Sequence, residues 1–120
     1  MTKIISIRVP PALEHAIRRN AIRSNMPIST IARLILEHSL CGTFNFAVLR
    51  DTTDYLDAKL DIRLSDQLIS RLRVQCEQLT LRVSVYIRII LYAYYSKRIV
   101  FVDKDGRYTL EENHDKKASA

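Results

Sequence analysis

Two stretches of the chain alternate strictly between apolar and polar residues. Residues 5–9 read Ile-Ser-Ile-Arg-Val, and residues 60–64 read Leu-Asp-Ile-Arg-Leu. A period of two is typical of a β-strand with one buried face. The pattern therefore predicts two short strands whose apolar side chains point inward and whose polar side chains point outward.

Apolar residues at helical spacing follow each strand. The spacing within residues 13–21 and 68–79 predicts a first helix, and the spacing within 28–35 and 83–94 predicts a second, more apolar one. Each unit is therefore expected to be strand, helix, helix.

The expected helix starts rest on local chemistry. Pro10-Pro11 and Ser65-Asp66 are expected at the starts of the first helices, because proline is tolerated in a first turn and Ser65 can cap free backbone N–H groups. Asn25 and Thr80 are expected to be the N-caps of the second helices, with Pro27 in the first turn of one of them.

The two units align with each other without a gap at an offset of 55 residues. A fixed offset of this kind indicates an internal repeat. The identical pairs are Ile7 and Ile62, Arg8 and Arg63, Leu13 and Leu68, Arg18 and Arg73, Ser29 and Ser84, Arg33 and Arg88, Ile35 and Ile90, and Leu36 and Leu91.

One unit alone has no stable fold, because a single short strand leaves its backbone groups unpaired. Antiparallel pairing of the two strands, with the four helices packed together, solves this. The linker, residues 41–58, reaches about 60 Å when extended, at about 3.3 Å per residue. We therefore expect an α+β, mostly α fold in which residues 3–40 and 59–95 form one domain, residues 1–102.

The C-terminal part predicts a β-hairpin over residues 99–110, because Asp105-Gly106 is a turn signal between two alternating stretches. Residues 111–120 are polar and are expected to be disordered. The apolar linker residues are expected to pack on the helices rather than form a free tether; they are Phe44, Phe46, Val48 and Leu49.

Charge is distributed unevenly along the chain. The net charge is +6, and it divides into +4 over residues 1–40, −2 over 41–58, +5 over 59–102 and −1 over 103–120. Two basic segments are thus separated by an acidic one. A basic surface suits nucleic acid or anionic lipid.

The sequence lacks the residue patterns that several classes of function require. Arginines interrupt every apolar stretch, so no membrane span is expected, and the N-terminus has no signal-peptide pattern. The expected location is therefore cytoplasmic. Cys41 and Cys76 lack metal-ligand spacing and are expected to be buried thiols. No phosphate loop or catalytic grouping is present, so neither an enzyme, a metal nor a cofactor is expected.

The order strand, helix, helix, with arginine in the strand and a Ser-x-x-x-Arg sequence in the second helix, resembles the ribbon-helix-helix (Arc/MetJ-like) family of DNA-binding proteins. The matching residues are 5–10, Leu13 and 29–33 in the first unit, and 60–64, Leu68 and 84–88 in the second. Most members build the ribbon from two identical subunits. This chain is similar to the tandem single-chain form, the TraY-type accessory proteins of plasmid conjugation, in which both halves form an intramolecular pseudo-dimer.

The resemblance implies that the outward strand residues enter the major groove of double-stranded DNA. Arg8 and Arg63 then bind guanine in a bidentate manner, Asp61 accepts from cytosine, and Ile4 offers only an apolar contact to a thymine methyl. Because the two strands differ at every outward position except arginine, the preferred site should be asymmetric. The full expected set of base-contacting residues is Ile4, Ser6, Arg8, Lys59, Asp61 and Arg63.

Flanking phosphates are expected to bind at the starts of the second helices. The expected contacts are Asn25, Met26, Thr80, Leu81 and Arg82. Arg33 and Arg88 lie among aliphatic residues, where a structural hydrogen-bonding role is expected for both.

The resemblance favours an accessory factor for conjugative DNA processing at a transfer origin, with relaxase or other conjugation proteins and further copies of itself on adjacent sites as partners. A transcriptional repressor of the same fold is the alternative. A different class of function, a protein-interaction module such as an antitoxin or adaptor, remains if Ile4 and Asp61 have made the ribbon unfit for DNA.

Overall fold

The first strand of the chain pairs with a strand from its second half. In the computed structural model, which describes residues 1–42 and 44–114, β1 (Thr2–Val9) and β2 (Ala58–Ser65) form an antiparallel two-stranded sheet. Ser6 lies opposite Asp61, the residue that the repeat offset also makes its equivalent. The pairing register is therefore symmetric about this central pair. We call this two-stranded sheet the ribbon.

Four helices follow the strands in two pairs, and about half of the chain is helical. They are α1 (Pro11–Ser24), α2 (Ile28–Leu40), α3 (Asp66–Leu79) and α4 (Val83–Tyr95). The fold is thus α+β, and each half has the predicted order of strand, helix and helix. The radius of gyration, 13.8 Å, is about that of a compact domain of this length.

The helices cover one face of the ribbon, and the predicted alternation of its side chains is confirmed. Ile7 and Val9 of β1 are buried, as are Leu60, Ile62 and Leu64 of β2. The second helix of each half packs against the strand of the other half, α4 against β1 and α2 against β2. Because of this exchange, the two halves share one hydrophobic core.

The predicted N-caps at Asn25 and Thr80 are wrong, because both residues end the preceding helix. Asn25 has φ 53° and Thr80 has φ 57°, so each is a left-handed C-cap. The next N–H donates back across the turn, from Met26 to Ala21 O at 3.1 Å and from Leu81 to Cys76 O at 2.9 Å. This is the Schellman arrangement.

The helix starts differ from one another. The Ser65 hydroxyl accepts from the Leu68 N–H at 3.1 Å, which confirms its predicted capping role for α3. Pro10 precedes α1 and Pro11 is its first residue. Pro27 is the N-cap of α2 rather than a first-turn residue.

The linker packs on the helices, as predicted. Phe46 begins a short 3-10 turn (Phe46–Val48), and its ring stacks on that of Tyr86 with centroids 5.4 Å apart. The Tyr86 hydroxyl in turn lies 2.9 Å from Ser39 Oγ inside the core. Leu49 is buried as well, whereas Val48 is exposed, so the expectation that it packs on the helices is wrong.

The predicted hairpin is present and longer than expected. β3 (Ile99–Lys104) and β4 (Arg107–Glu112) pair antiparallel, and Asp105 and Gly106 at the turn both have positive φ. The disordered tail predicted over 111–120 is therefore wrong at its start, because residues 111 and 112 complete β4. Residues 115–120 lie outside the described part of the chain.

The helix C-caps give the first prediction. A β-branched residue is strained at positive φ, whereas asparagine tolerates it. We expect Thr80→Asn to raise the free energy of unfolding by about 0.5–1 kcal/mol in urea titrations. The reciprocal change, Asn25→Thr, should lower the free energy of unfolding by a similar amount. If both variants were as stable as the wild type, a β-branched residue would not be strained at these positions.

Candidate nucleic-acid interface

The face of the ribbon that points away from the helices carries mainly polar side chains. All six residues expected to contact bases are exposed on it: Ile4, Ser6, Arg8, Lys59, Asp61 and Arg63. Thr2 shares this face by the same alternation, although it was not predicted as a site residue. Three cations and one carboxylate stand on the face, which is therefore net positive.

The centre of the face is occupied by a polar pair. The Ser6 hydroxyl donates to Asp61 Oδ1 at 2.5 Å, and Lys59 Nζ lies 3.9 Å from the same oxygen. Asp61 Oδ1 therefore accepts a hydrogen bond from Ser6 and also lies near the Lys59 ammonium group. These contacts reduce the repulsion that an isolated aspartate would exert on a polyanion.

The two arginines lie at opposite ends of the face. Arg8 is opposite Lys59 and Arg63 is opposite Ile4, with the Ser6 row between them. Four residues separate the two rows, which is about 13 Å at about 3.3 Å per residue. Arg63 Nη1 lies 3.4 Å from Thr2 Oγ1, so this side chain leans toward the free end of β1. Ile4 is 57% exposed and forms an apolar patch beside Arg63.

Each arginine of the face is fixed through its backbone by the second helix of the opposite half. The Arg63 N–H donates to Ser29 Oγ, in the first turn of α2, at 2.8 Å. Arg88 Nη1 of α4 donates to the Arg8 carbonyl at 3.3 Å. The two ends of the ribbon are therefore held by different side chains.

Arg88 also joins the ribbon to the linker. Its Nε donates to Asp51 Oδ1 at 2.9 Å, and its Nη2 donates to Asp51 Oδ2 at 2.6 Å. Hydrogen bonds from Arg88 hold the pKa of the Asp51 carboxyl below its ordinary value, although partial burial opposes this. The structural role expected for Arg88 is thus present. Arg33, its equivalent in the first half, is exposed, so the matching expectation for Arg33 is wrong.

The residues predicted to contact phosphates do not carry the free N–H groups at the starts of the second helices. The N–H groups of Asn25, Met26, Thr80 and Leu81 already donate to the preceding helix. The first N–H groups of α2 and α4 belong instead to residues 28–29 and 83–84, after the N-caps Pro27 and Arg82. Such groups have no partner within the helix and carry the positive end of its dipole. Arg82 is exposed beside them.

The two cysteines differ in exposure. Burial raises the pKa of the Cys76 thiol, as expected for a buried side chain. Cys41 is exposed, with Arg71 Nη2 3.8 Å from its sulfur, so the expectation that it is buried is wrong. Within residues 1–42 and 44–114, no three His, Cys, Asp or Glu side chains are grouped to hold a metal. None of the described helices is both long and apolar enough to cross a bilayer.

Comparisons with known proteins identify no relative: no family model, no curated protein and no solved structure matches this chain.

Sequence reasoning located the outward face but not what supports it. Nothing in the linker sequence indicates which helix Asp51 will reach, so its bonds to Arg88 do not follow from the sequence alone. The same period of two that places Ser6 on the outward face also places Thr2 there. Ser29 lies in the first turn of α2, but its bond to β2 depends on the exchange of helices between the halves.

The Asp51 and Arg88 pair gives a pH-dependent prediction. Because the folded pKa of Asp51 is depressed, its contribution to stability is present above the ordinary aspartate pKa and is lost as the pH falls through the folded value. Asp51→Asn should therefore lower the free energy of unfolding by about 1–2 kcal/mol at pH 7. The difference from wild type should shrink at pH 2–3 in urea titrations.

Asp54→Asn is the matched control, because Asp54 is exposed in the same linker and makes no ion pair among the described residues. An equal loss in both variants, or a loss for Asp51→Asn that does not change with pH, would contradict the role of the pair.

Proposed function

We propose that this chain is a sequence-specific double-stranded DNA-binding protein that reads the major groove with its ribbon. In this proposal the two halves form a tandem ribbon-helix-helix pseudo-dimer. The observation that carries it is the exposed ribbon face, on which Arg8 and Arg63 stand at opposite ends of a symmetric register. A two-stranded ribbon fits the width of the major groove, and arginine is the usual reader of guanine there.

The geometry also supports a particular spacing of the bases. If the ribbon runs along the groove, its two arginines lie about 13 Å apart, which is about four base pairs at about 3.4 Å each. Lys59 and Ile4 lie opposite the two arginines and differ in chemistry. The two ends of the site should therefore read different sequences, so the proposed site is asymmetric with two guanines about 3–5 base pairs apart.

Phosphate binding is assigned to the starts of α2 and α4. The first turn of α2 contacts β2 through the bond from the Arg63 N–H to Ser29 Oγ, and α4 contacts β1. Free N–H groups at residues 28–29 and 83–84, with the Arg82 guanidinium, supply donors for the DNA backbone on both sides.

The proposed biological role is a cytoplasmic accessory factor in conjugative DNA processing, and it rests on the family resemblance alone. A transcriptional repressor would use the same DNA-binding face. No enzymatic activity is proposed, and the proposed ligand is double-stranded DNA without a cofactor.

An antitoxin- or adaptor-type function is the alternative of another class. The observation that favours it is the centre of the ribbon, where Ser6 and Asp61 bond to each other and Ile4 is exposed nearby. In that case duplex DNA would bind weakly and without sequence preference, so the same experiment distinguishes the two.

Selection of binding sites from a random duplex library tests the proposal. We expect Arg8→Ala to relax the base preference at one end of the site and Arg63→Ala to relax it at the other. Each change should cost about 1–3 kcal/mol for the selected site, or about 5- to 150-fold in affinity. Loss of a bidentate contact to one guanine explains the positional effect.

The double variant Arg73→Ala/Arg107→Ala is the control, because both residues are exposed away from the ribbon and it removes the same charge as Arg8→Ala/Arg63→Ala. The ribbon mechanism is abandoned if the wild type enriches no motif, or if both double variants select the motif equally well.

Arg82 is expected to behave differently from the ribbon arginines. As a phosphate contact, it should contribute equally to every sequence. Arg82→Ala should weaken specific and non-specific binding by the same factor and reduce the slope of log affinity against log salt by about one. Fluorescence anisotropy at several salt concentrations measures this, and a selective loss for the specific site would show that Arg82 reads bases instead.

A further inference from the structure

A groove with an aromatic floor lies away from the ribbon. It has a volume of about 590 Å³ and is formed by α1, the end of α4 and β3, without any residue of the ribbon. Tyr94, Tyr95 and Phe101 form its floor, and Tyr94 packs edge to face on both other rings, with centroids 5.0 and 5.6 Å apart. The Tyr95 hydroxyl donates to Asn20 Oδ1 at 2.8 Å, which joins the two helices below the groove. We call this the aromatic groove.

Three cations surround the aromatic groove. Arg19 and Arg23 are one turn apart on α1, and Lys97 follows the end of α4. All three are exposed, and within the described residues none of them forms an ion pair. Like charges held together without a partner repel one another, so an anionic occupant would be stabilised here.

The linker of the same chain carries a segment with the complementary chemistry. Asp54, Tyr55 and Asp57 are exposed, and Tyr55 is 85% exposed although its ring is large and mostly apolar. Neither Asp54 nor Asp57 forms an ion pair with another described residue. Asp51 is already held by Arg88. We call residues 54–57 the acidic loop.

The acidic loop and the aromatic groove are neighbours on the surface. A smaller depression that Asp54 lines shares Ala16 and Tyr95 with the aromatic groove. When two complementary surfaces lie side by side, a two-fold axis between two molecules brings each surface onto its complement twice. A symmetric dimer of this kind therefore contains the same contact twice, and neither molecule has to change its conformation.

We propose that two copies of this chain associate in solution by reciprocal docking, in which the acidic loop of each enters the aromatic groove of the other. Tyr55 packs on the aromatic floor, and Asp54 and Asp57 pair with Arg19, Arg23 and Lys97. The aromatic groove contains no ribbon residue, and the association does not depend on DNA binding.

A single-stranded nucleic acid is a poorer occupant of the aromatic groove. Base stacking requires a ring face open to the incoming base. Here the floor rings pack edge to face on each other and are half-buried. A tyrosine with flanking carboxylates needs only apolar contact and nearby cations, and both are present.

Charge reversal tests the proposal by sedimentation velocity without DNA, at low salt and from micromolar to millimolar chain concentrations. The wild type should form a dimer that weakens as salt is added. Arg19→Glu/Arg23→Glu makes the groove acidic, and Asp54→Lys/Asp57→Lys makes the loop basic. Each variant alone should self-associate at least about tenfold more weakly than wild type, because both contacts of its dimer become repulsive.

The mixture of the two variants is the decisive measurement. In a mixed dimer the acidic groove meets the basic loop and the basic groove meets the acidic loop, so both contacts become attractive again. We therefore expect the equimolar mixture to recover an association close to that of wild type. Circular dichroism and urea unfolding confirm that each variant is folded, as expected for changes at exposed residues.

Arg73→Glu/Arg107→Glu is the control, because it changes the net charge as Arg19→Glu/Arg23→Glu does but at exposed residues outside the aromatic groove. It should dimerise like the wild type. The proposal is overturned by a wild type that stays monomeric, by groove or loop variants that dimerise normally, or by a mixture that does not associate. Loss of DNA binding in Arg19→Glu/Arg23→Glu with unchanged dimerisation would assign the aromatic groove to nucleic acid instead.

Discussion

Pairing between β1 and β2 is the interaction on which the rest of the structure depends. A lone strand leaves a row of N–H and C=O groups without partners, and each strand finds them in the other half of the chain. The register also decides which side chains face outward. A shift of either strand by one residue would bury its arginine and expose its buried aliphatic residues, so the hydrophobic core under the ribbon fixes the candidate binding face as well.

The exchange of second helices between the halves reinforces this pairing, but it does so asymmetrically. Ser29 of α2 holds β2 through a backbone N–H, whereas Arg88 of α4 holds β1 through a carbonyl and is itself held by Asp51. Arg33, at the equivalent place in the first half, is exposed. A repeat within one chain can develop such differences, because its single linker supplies Asp51 as a partner to Arg88 and not to Arg33.

The sequence predicted the elements better than their ends. Strict alternation and the repeat offset were enough for the strands, the helices and the outward face, because burial on one side imposes a period on the chain. The ends of the helices were misassigned at Asn25, since asparagine suits both an N-cap and a left-handed C-cap. The exposure of Cys41 and Arg33, and the pairing of Asp51, depend on neighbours distant in sequence, which no local pattern reports.

The two strands of the ribbon belong to one molecule, and this affects when the ribbon exists. An assembly of separate subunits falls apart on dilution, because its folded fraction depends on the concentration of its partners. Here the linker supplies the second strand at a fixed, high local concentration. Formation of the ribbon is therefore a first-order event, and a single copy of the chain in a cell carries a complete one.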